Sequence, residues 1–244
     1  MIPFHFGDND RAKYGIFHPA LGDGRAGRGV VLCNSYGDEA IRSHRVLRHT
    51  AETMTHNRWN VLRFDYYGSG DSSGAHQSLM PEQSVSDIED AIRELETVAD
   101  LGGVFLLGLR LGGTLAMRAA TRRADVRGVI LWDPIVDGAG FVAELKEKNS
   151  EGDGPFSTEG FVFSEALQES LSRLDLAKDL ASFNGPVLLV SSSCSEPHRC
   201  IAAEFPMVVD YREIKAFPIW AKEEEGGLLP MPRELIQEIA AWEA

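Results

Sequence analysis

The chain has 244 residues, 43% of them hydrophobic, which is enough for one large domain with a substantial core. Its formal net charge of −13 argues against a nucleic-acid partner, because phosphate binding requires clustered Lys and Arg side chains. No leader peptide and no apolar run long enough to cross a bilayer stands out, so we expect a cytoplasmic protein.

Short apolar runs alternate with helical patterns along most of the chain. The first two strands, at residues 3–6 and 13–18, are compatible with an antiparallel hairpin at one sheet edge. Buried parallel strands are predicted at 29–33, 60–64, 104–108, 126–132 and 186–191, and a strand at 208–215 completes the other edge. Helices are predicted at 45–57, 81–99, 112–122 and 233–243. This alternation predicts an α/β fold with a mostly parallel, doubly wound sheet covered by helices on both faces.

Residues 138–178 interrupt the alternation. Helical pieces flank a Gly-rich stretch there, and we predict no buried strand before residue 186. Such an insertion in an α/β sheet lies over the carboxyl ends of the strands, where ligands bind. We therefore divide the chain into a core, residues 1–137 and 179–244, and a small cap or lid at 138–178. The alternative is that the insertion only covers exposed sheet.

The most informative segment is VFLLGLRLGGTLAM, residues 104–117. A predicted strand leads directly into the letters GLRLGG and then into an apolar helix. This is the strand, tight turn and helix of a nucleophile elbow, G-x-S-x-G, in which small residues let the helix approach the strand. Only the central residue differs, because Arg110 stands where the nucleophile would be.

Several segments resemble a known family. VVLCNSYGDEAIRSHR and NVLRFDYYGSGDSSG are similar to the serine aminopeptidase-like branch of the α/β-hydrolase superfamily. The resemblance to exosortase A system-associated hydrolases is closer still, at LCNSYGDE, SHR, FDYYGSGDSSG, GLRLGG and LWDPIVDG. It extends from residue 30 to about residue 242 and implies the α/β-hydrolase fold with a small cap, but it is much less specific for the reaction.

The resemblance also implies a catalytic triad, which this chain does not carry in full. The serine of the superfamily falls on Arg110, whose guanidinium stays protonated and cannot attack a carbonyl. The acid would follow the strand at 186–191, where Ser195 stands in the usual place of Asp, next to Glu196. A histidine would follow the last strand, yet residues 216–244 contain none, and Trp220 occupies that neighbourhood. We therefore predict a degenerate triad, as in a pseudoenzyme, without ordinary serine-hydrolase chemistry at the elbow.

Other groups are predicted to meet Arg110 at the same edge of the sheet. The loop after the first parallel strand, residues 33–39, should project backbone N–H groups over the elbow as an oxyanion loop does. A buried guanidinium needs a carboxylate or a ligand anion beside it, and the internal candidates are Asp133, Glu39 and Asp71. The predicted ligand-binding residues are Arg110, Leu111, Ser35, Tyr36, Glu39 and Asp133.

Arg110 is open to two interpretations. Its planar fork could bind a carboxylate, a phosphate or an acyl carbonyl of a ligand. Alternatively, a salt bridge with Asp133 or Glu39 fills a site that no longer reacts. The sequence leaves both open.

A nucleophile could also lie elsewhere. Cys194, with His198 as base and Glu196 as orienting acid, provides the residue types of a thiol catalyst, although their closeness in sequence does not establish geometry. No metal site is expected, because the histidines and cysteines lack ligand spacing. No cofactor is expected either, because GLRLGG lacks the G-x-G-x-x-G spacing of a dinucleotide site.

Two functions remain. The first is a hydrolase-fold protein that binds an acyl-bearing or anionic small molecule, or a partner protein, beneath the cap, with Arg110 as the anchor. The second is a non-standard ester or thioester hydrolase or an acyltransferase, in which a bound substrate, a partner or residues 194–198 supply what the triad lacks. Both functions are compatible with a homodimer.

Overall fold

A computed structural model describes residues 1–22, 27–149, 154–221 and 230–243. In chain order the strands are β1 (Ile2–Phe6), β2 (Lys13–His18), β3 (Gly27–Cys33), β4 (Trp59–Phe64), β5 (Leu101–Leu109), β6 (Val126–Trp132), β7 (Phe156–Thr158), β8 (Phe161–Phe163), β9 (Val187–Ser191) and β10 (Val209–Glu213). The helices are α1 (Gly37–His56), α2 (Pro81–Val98), α3 (Leu111–Thr121), α4 (Gly138–Asn149), α5 (Glu165–Ser172), α6 (Leu176–Ala181), α7 (Glu196–Glu204) and α8 (Arg233–Ala241). None of these helices is long and apolar enough to span a membrane.

Eight strands form the central sheet, in the order β1-β2-β4-β3-β5-β6-β9-β10. β1 pairs with β2, and β2 with β4, in antiparallel fashion, and every other neighbouring pair is parallel. The predicted mostly parallel sheet, its edge hairpin and its last edge strand are confirmed.

Both faces of the sheet are buried, which explains why the central strands are continuous apolar runs. Successive side chains of a strand point to opposite faces. Val31 and Leu106 pack with buried residues of α2 and α3. Val30 and Leu107 pack with buried residues of α1 and α8 on the other face. The carboxyl ends of the parallel strands therefore meet at one edge between two helical layers.

Three local predictions were wrong. α1 begins at Gly37 rather than at residue 45. The sequence did not reveal this start, because the first turns of the helix are polar, Ile41 is exposed, and no apolar periodicity results. Asp38 and Glu39 in the first turn favour this start through the helix dipole. Glu196 and His198, predicted in a loop, lie in the first turn of α7, which Ser195 caps by accepting a hydrogen bond from the His198 N–H.

The third correction concerns residues 138–178, where we predicted no buried strand. The structure has a short hairpin there, β7 and β8, which buries Phe156, Phe161 and Phe163. Three-residue strands are too short to show alternation. The division into core and cap stays a prediction, and residues 150–153 of the cap lie outside the described part of the chain.

Candidate functional site

The elbow lies between β5 and α3, as its spacing predicted. Arg110 connects the two elements with φ 53° and ψ −123°, a conformation that costs a non-glycine residue about 1–3 kcal/mol. Gly108 allows β5 to lie close to the start of α3, because a Cβ added to it would lie 2.3 Å from the Gly112 carbonyl oxygen. The backbone therefore keeps the strained turn of a nucleophile elbow, although the residue at its tip is an arginine.

The Arg110 side chain is held by groups of the protein itself. Its Nε donates to Glu39 Oε1 at 3.2 Å, and the side chains of these two residues are only 16% and 15% exposed. Glu39 Oε2 accepts a 2.6 Å hydrogen bond from Ser35 Oγ. The guanidinium carbon lies 5.0 Å from the ring centroid of Trp220, within the range of a cation–π contact. Of the three candidate carboxylates, Glu39 is the one that pairs with Arg110.

Asp133 and His198 form a separate buried group. Asp133 Oδ1 accepts from the Ser192 N–H at 2.9 Å, and burial raises the pKa of this carboxyl. His198 Nε2 donates to the Pro134 carbonyl at 2.9 Å, so Nδ1 of the neutral ring is an acceptor. Ser191 Oγ lies 2.9 Å from this Nδ1 and 2.7 Å from the Ser193 carbonyl, so its one proton has two acceptors. Burial lowers the pKa of His198, which favours this neutral form. The structure thus contains a serine hydroxyl bonded to a histidine, but both side chains are buried and neither lines the cavity described below.

The proposed thiol catalyst is not assembled. Cys194 is exposed, Glu196 pairs with Arg199 at 3.2 Å, and both ring nitrogens of His198 have the partners given above. Cys33 is fully buried, and burial raises the pKa of its thiol, which disfavours the nucleophilic thiolate. Within the described residues, no group of three His, Cys, Asp or Glu side chains could hold a metal ion.

A cavity of about 880 Å³ opens beside the elbow. Its walls come from the loop after β3, the loop after β4 and the turn of the β7–β8 hairpin, which contributes Glu159, Gly160 and Phe161. Of the predicted ligand-binding residues, Ser35 and Tyr36 line it, whereas Arg110, Leu111, Glu39 and Asp133 do not. The open space therefore lies next to the elbow rather than above it.

Sequence analysis missed the most unusual polar group of this cavity. Arg63, near the end of β4, lines the cavity and is 9% exposed. Its Nε donates to His18 Nε2 at 3.1 Å, although the two residues are far apart in sequence. Burial and the neighbouring Arg63 lower the pKa of His18 to about 4, so the ring is a neutral acceptor. A single cation between the apolar residues of VLRF, at 61–64, was the signal that could have found it.

His18 should make stability depend on pH. Its pKa is about 4 in the folded chain, against an ordinary value of 6.5, so the unfolded chain takes up the proton first as the pH falls. The free energy of unfolding should therefore decrease by up to about 3 kcal/mol between pH 6.5 and pH 4, and by nothing further from this group below that. Chemical denaturation across this range checks it.

A His18→Gln variant is the control for this dependence, because an amide oxygen can accept from Arg63 Nε without titrating. The difference in free energy of unfolding between wild type and variant should be constant above about pH 7. Below that pH the wild type should lose stability relative to the variant. If the free energies of unfolding of the two proteins changed in parallel with pH, His18 would not have a lowered pKa in the folded chain.

The sheet order, the strained turn between β5 and α3 and the site at the carboxyl ends of the strands define an α/β hydrolase fold. The chain belongs to the serine aminopeptidase S33 family, whose model matches residues 26–150. No curated protein sequence matches it.

Solved structures agree on the fold. Est1E from Butyrivibrio proteoclasticus with bound ferulic acid has a TM-score of 0.72 and 14% identity, with 97% of this chain and 96% of that one covered. DcsB in complex with its substrate analogue has a TM-score of 0.68 and 17% identity, and 99% of each chain is covered. The Pyrococcus furiosus esterase Pf2001 has a TM-score of 0.66 and 14% identity, with 88% and 81% covered.

Proposed function

We propose that this chain binds an acyl-bearing or anionic small molecule on an α/β-hydrolase scaffold without ordinary serine hydrolysis. The observation that carries the proposal is the ion pair between Arg110 and Glu39 at the tip of the elbow, beneath Trp220. A permanently protonated group occupies the position from which this fold presents its attacking oxygen.

The charges at the elbow resist rearrangement. Removing Arg110 from Glu39 would leave two shielded charges without their partner, which costs several kcal/mol when an ion pair is buried. Trp220 stands in the region where the superfamily places its histidine, so the site also lacks the imidazole that accepts the proton of the nucleophile in this superfamily. Of the two interpretations of Arg110, we therefore favour the internal salt bridge. We propose that the ligand binds in the adjoining cavity rather than at Arg110.

The cavity suits a small organic molecule better than a partner protein. It is concave, and its volume lies within the range of about 300–1,000 Å³ that is usual for ligand pockets. The hairpin turn at Glu159–Phe161 forms part of its wall, so we propose that residues 138–178 act as its cap. Est1E with ferulic acid and DcsB with a substrate analogue are examples of ligand binding on this fold. The closer relationship to exosortase A system-associated hydrolases and a cytoplasmic location are part of the same proposal.

Esterase assays test the absence of hydrolysis. We expect no turnover above background with p-nitrophenyl acetate, p-nitrophenyl butyrate, methyl ferulate or an acyl thioester. We also expect none from Arg110→Ser, because restoring a hydroxyl at the elbow supplies no histidine after the last strand. A serine hydrolase assayed in parallel confirms that the substrates report turnover.

Two results would contradict the proposal. Turnover by the wild type would support the alternative, a non-standard ester or thioester hydrolase or acyltransferase. If Cys194→Ala then removed that activity, the exposed thiol would be its nucleophile. Robust turnover by Arg110→Ser would show that the chain has a base that the geometry of the elbow does not reveal.

A further inference from the structure

Arg63 is a buried cation in an apolar part of the sheet. Its partners in the strand register are Ile16 on β2 and Leu32 on β3, so its side chain leaves the sheet between two aliphatic neighbours. All three residues line the 880 Å³ cavity. A guanidinium in such surroundings is costly unless its charge is paired and its N–H groups are bonded.

The protein satisfies only one side of this guanidinium. Among the described residues, the bond from Nε to His18 is its one hydrogen bond, and no carboxylate lies within 4.0 Å of it. Both terminal –NH₂ groups therefore lack a protein partner in the described part of the chain, and they are not among its fully buried unpaired atoms, so they remain accessible to a ligand in the cavity. The neutral His18 ring fixes the orientation of the fork without neutralising its charge.

Asp65 is the cavity carboxylate that acts most strongly on Arg63, but it is engaged in its own loop. Its Oδ2 accepts from the Asp71 N–H at 3.0 Å. The same carboxylate packs against Gly70, where an added Cβ would come within 2.1 Å of Oδ2. The turn that follows β4 thus holds Asp65 away from ion-pair distance of Arg63.

We propose that Arg63 binds the carboxylate of an organic acid, whose apolar body lies against the aromatic wall of the cavity. This wall includes Tyr36, Tyr66 and Phe161, and the Tyr36 ring contacts the rings of the other two. A carboxylate matches the terminal nitrogens of arginine in a bidentate pair and brings a negative charge into contact, whereas Asp65 and Glu52 act on Arg63 only from beyond ion-pair distance. The inference rests on the proposed function and names the anchor and the ligand class of that site.

A monocarboxylate fits this site better than a phosphate. Among the described residues that line the cavity, Arg63 is the only arginine or lysine, whereas four carboxylates line it: Asp38, Asp65, Asp71 and Glu159. Asp38 and Glu159 share Arg42 as a partner, each at 2.8 Å. A second negative charge on the ligand would therefore meet carboxylates rather than a second free cation.

The test compares 3-phenylpropanoate with the isosteric 3-phenylpropanamide and with methyl 3-phenylpropanoate, by calorimetric titration of the full chain. We expect the wild type to bind the carboxylate about 10- to 100-fold more tightly than the amide or the ester. Arg63→Gln should abolish this preference, and Arg63→Lys should keep only part of it, because an ammonium cannot form the fork. Arg123→Gln is the matched control, since Arg123 is also shielded but has Asp125 and Glu96 as partners and lies outside the cavity.

The outcomes separate the inference from the proposed function. Equal affinity for acid and amide in the wild type, a measurement that needs no variant, would overturn the role of Arg63 and leave ligand binding intact. A preference that survives Arg63→Gln but disappears in Arg110→Ala would move the anion site to the elbow and overturn the inference as well. Hydrolysis of the methyl ester would instead contradict the proposed function. Binding of none of the three probes would count against both.

Discussion

Replacing Gly112 by alanine is expected to lower the free energy of unfolding by at least about 3 kcal/mol. A Cβ at this position would lie 2.2 Å from the Cys33 carbonyl oxygen and 2.3 Å from that of Asn34. Both are backbone atoms at the start of the loop after β3, so no side-chain rotation can relieve the clash. Either α3 or this loop must move, and the loop provides Ser35 and Tyr36 to the cavity wall. Chemical denaturation followed by tryptophan fluorescence measures the loss.

Gly102→Ala is the matched control, because Gly102 also belongs to the β5–α3 unit but has no atom within 4 Å of an added Cβ. We expect its stability to lie within about 0.5 kcal/mol of the wild type. If Gly112→Ala were as stable as this control, α3 would not approach the loop as closely as the structure shows.

The fold was predictable because its central strands are buried on both faces. Val30 and Val31 are both apolar although they point to opposite helical layers, and this produces the continuous runs that predicted a parallel sheet. The elbow was predictable for a different reason. Gly108 is required by a steric contact with Gly112 and Gly113, only a few residues along the chain, so this part of the motif records the geometry locally.

What depends on tertiary distances was not predictable. Three carboxylates were candidates for Arg110, and only the position of the first turn of α1 selects Glu39. The pairing of Arg63 with His18 requires β2 to lie beside β4, a register that neither segment specifies alone. Local patterns thus determined the scaffold, and the packing of distant elements determined which polar groups face the cavity.

The two arginines of this region, partly buried Arg110 and buried Arg63, differ in how the protein compensates their charge. Arg110 has an internal carboxylate, so its charge is compensated by the protein and it needs no ligand. Arg63 has a neutral acceptor, so its position is fixed while its charge remains available. In our proposal, the ion pair fills the elbow and a cation on a different strand holds the ligand, so loss of hydrolysis and retention of binding are compatible.

Replacing Asp87 by alanine is expected to lower the free energy of unfolding by about 3–5 kcal/mol. Asp87 is fully buried on α2 and lies 3.7 Å from Lys13 Nζ, which is also buried. Its Oδ2 accepts from the Tyr67 N–H at 2.8 Å, and its Oδ1 accepts from Gln83 Nε2 at 2.9 Å. The variant leaves these donors without their acceptor and leaves Lys13 with Asp90 as its remaining carboxylate partner. Equilibrium denaturation at constant pH gives the difference.

A second comparison identifies the cause of this loss. Asp125→Ala removes an exposed carboxylate from Arg123 and should cost less than about 1 kcal/mol, because solvent screens surface ion pairs. The double variant Lys13→Met, Asp87→Ala should be more stable than the sum of the single changes predicts, by about 1–2 kcal/mol, because it leaves no buried cation behind. Strict additivity would mean that Asp87 stabilises the chain through its hydrogen bonds from the Tyr67 N–H and Gln83 Nε2 rather than through Lys13. Since Tyr67 begins the turn that lines the cavity, that result would make Asp87 a support of the binding site rather than of the core.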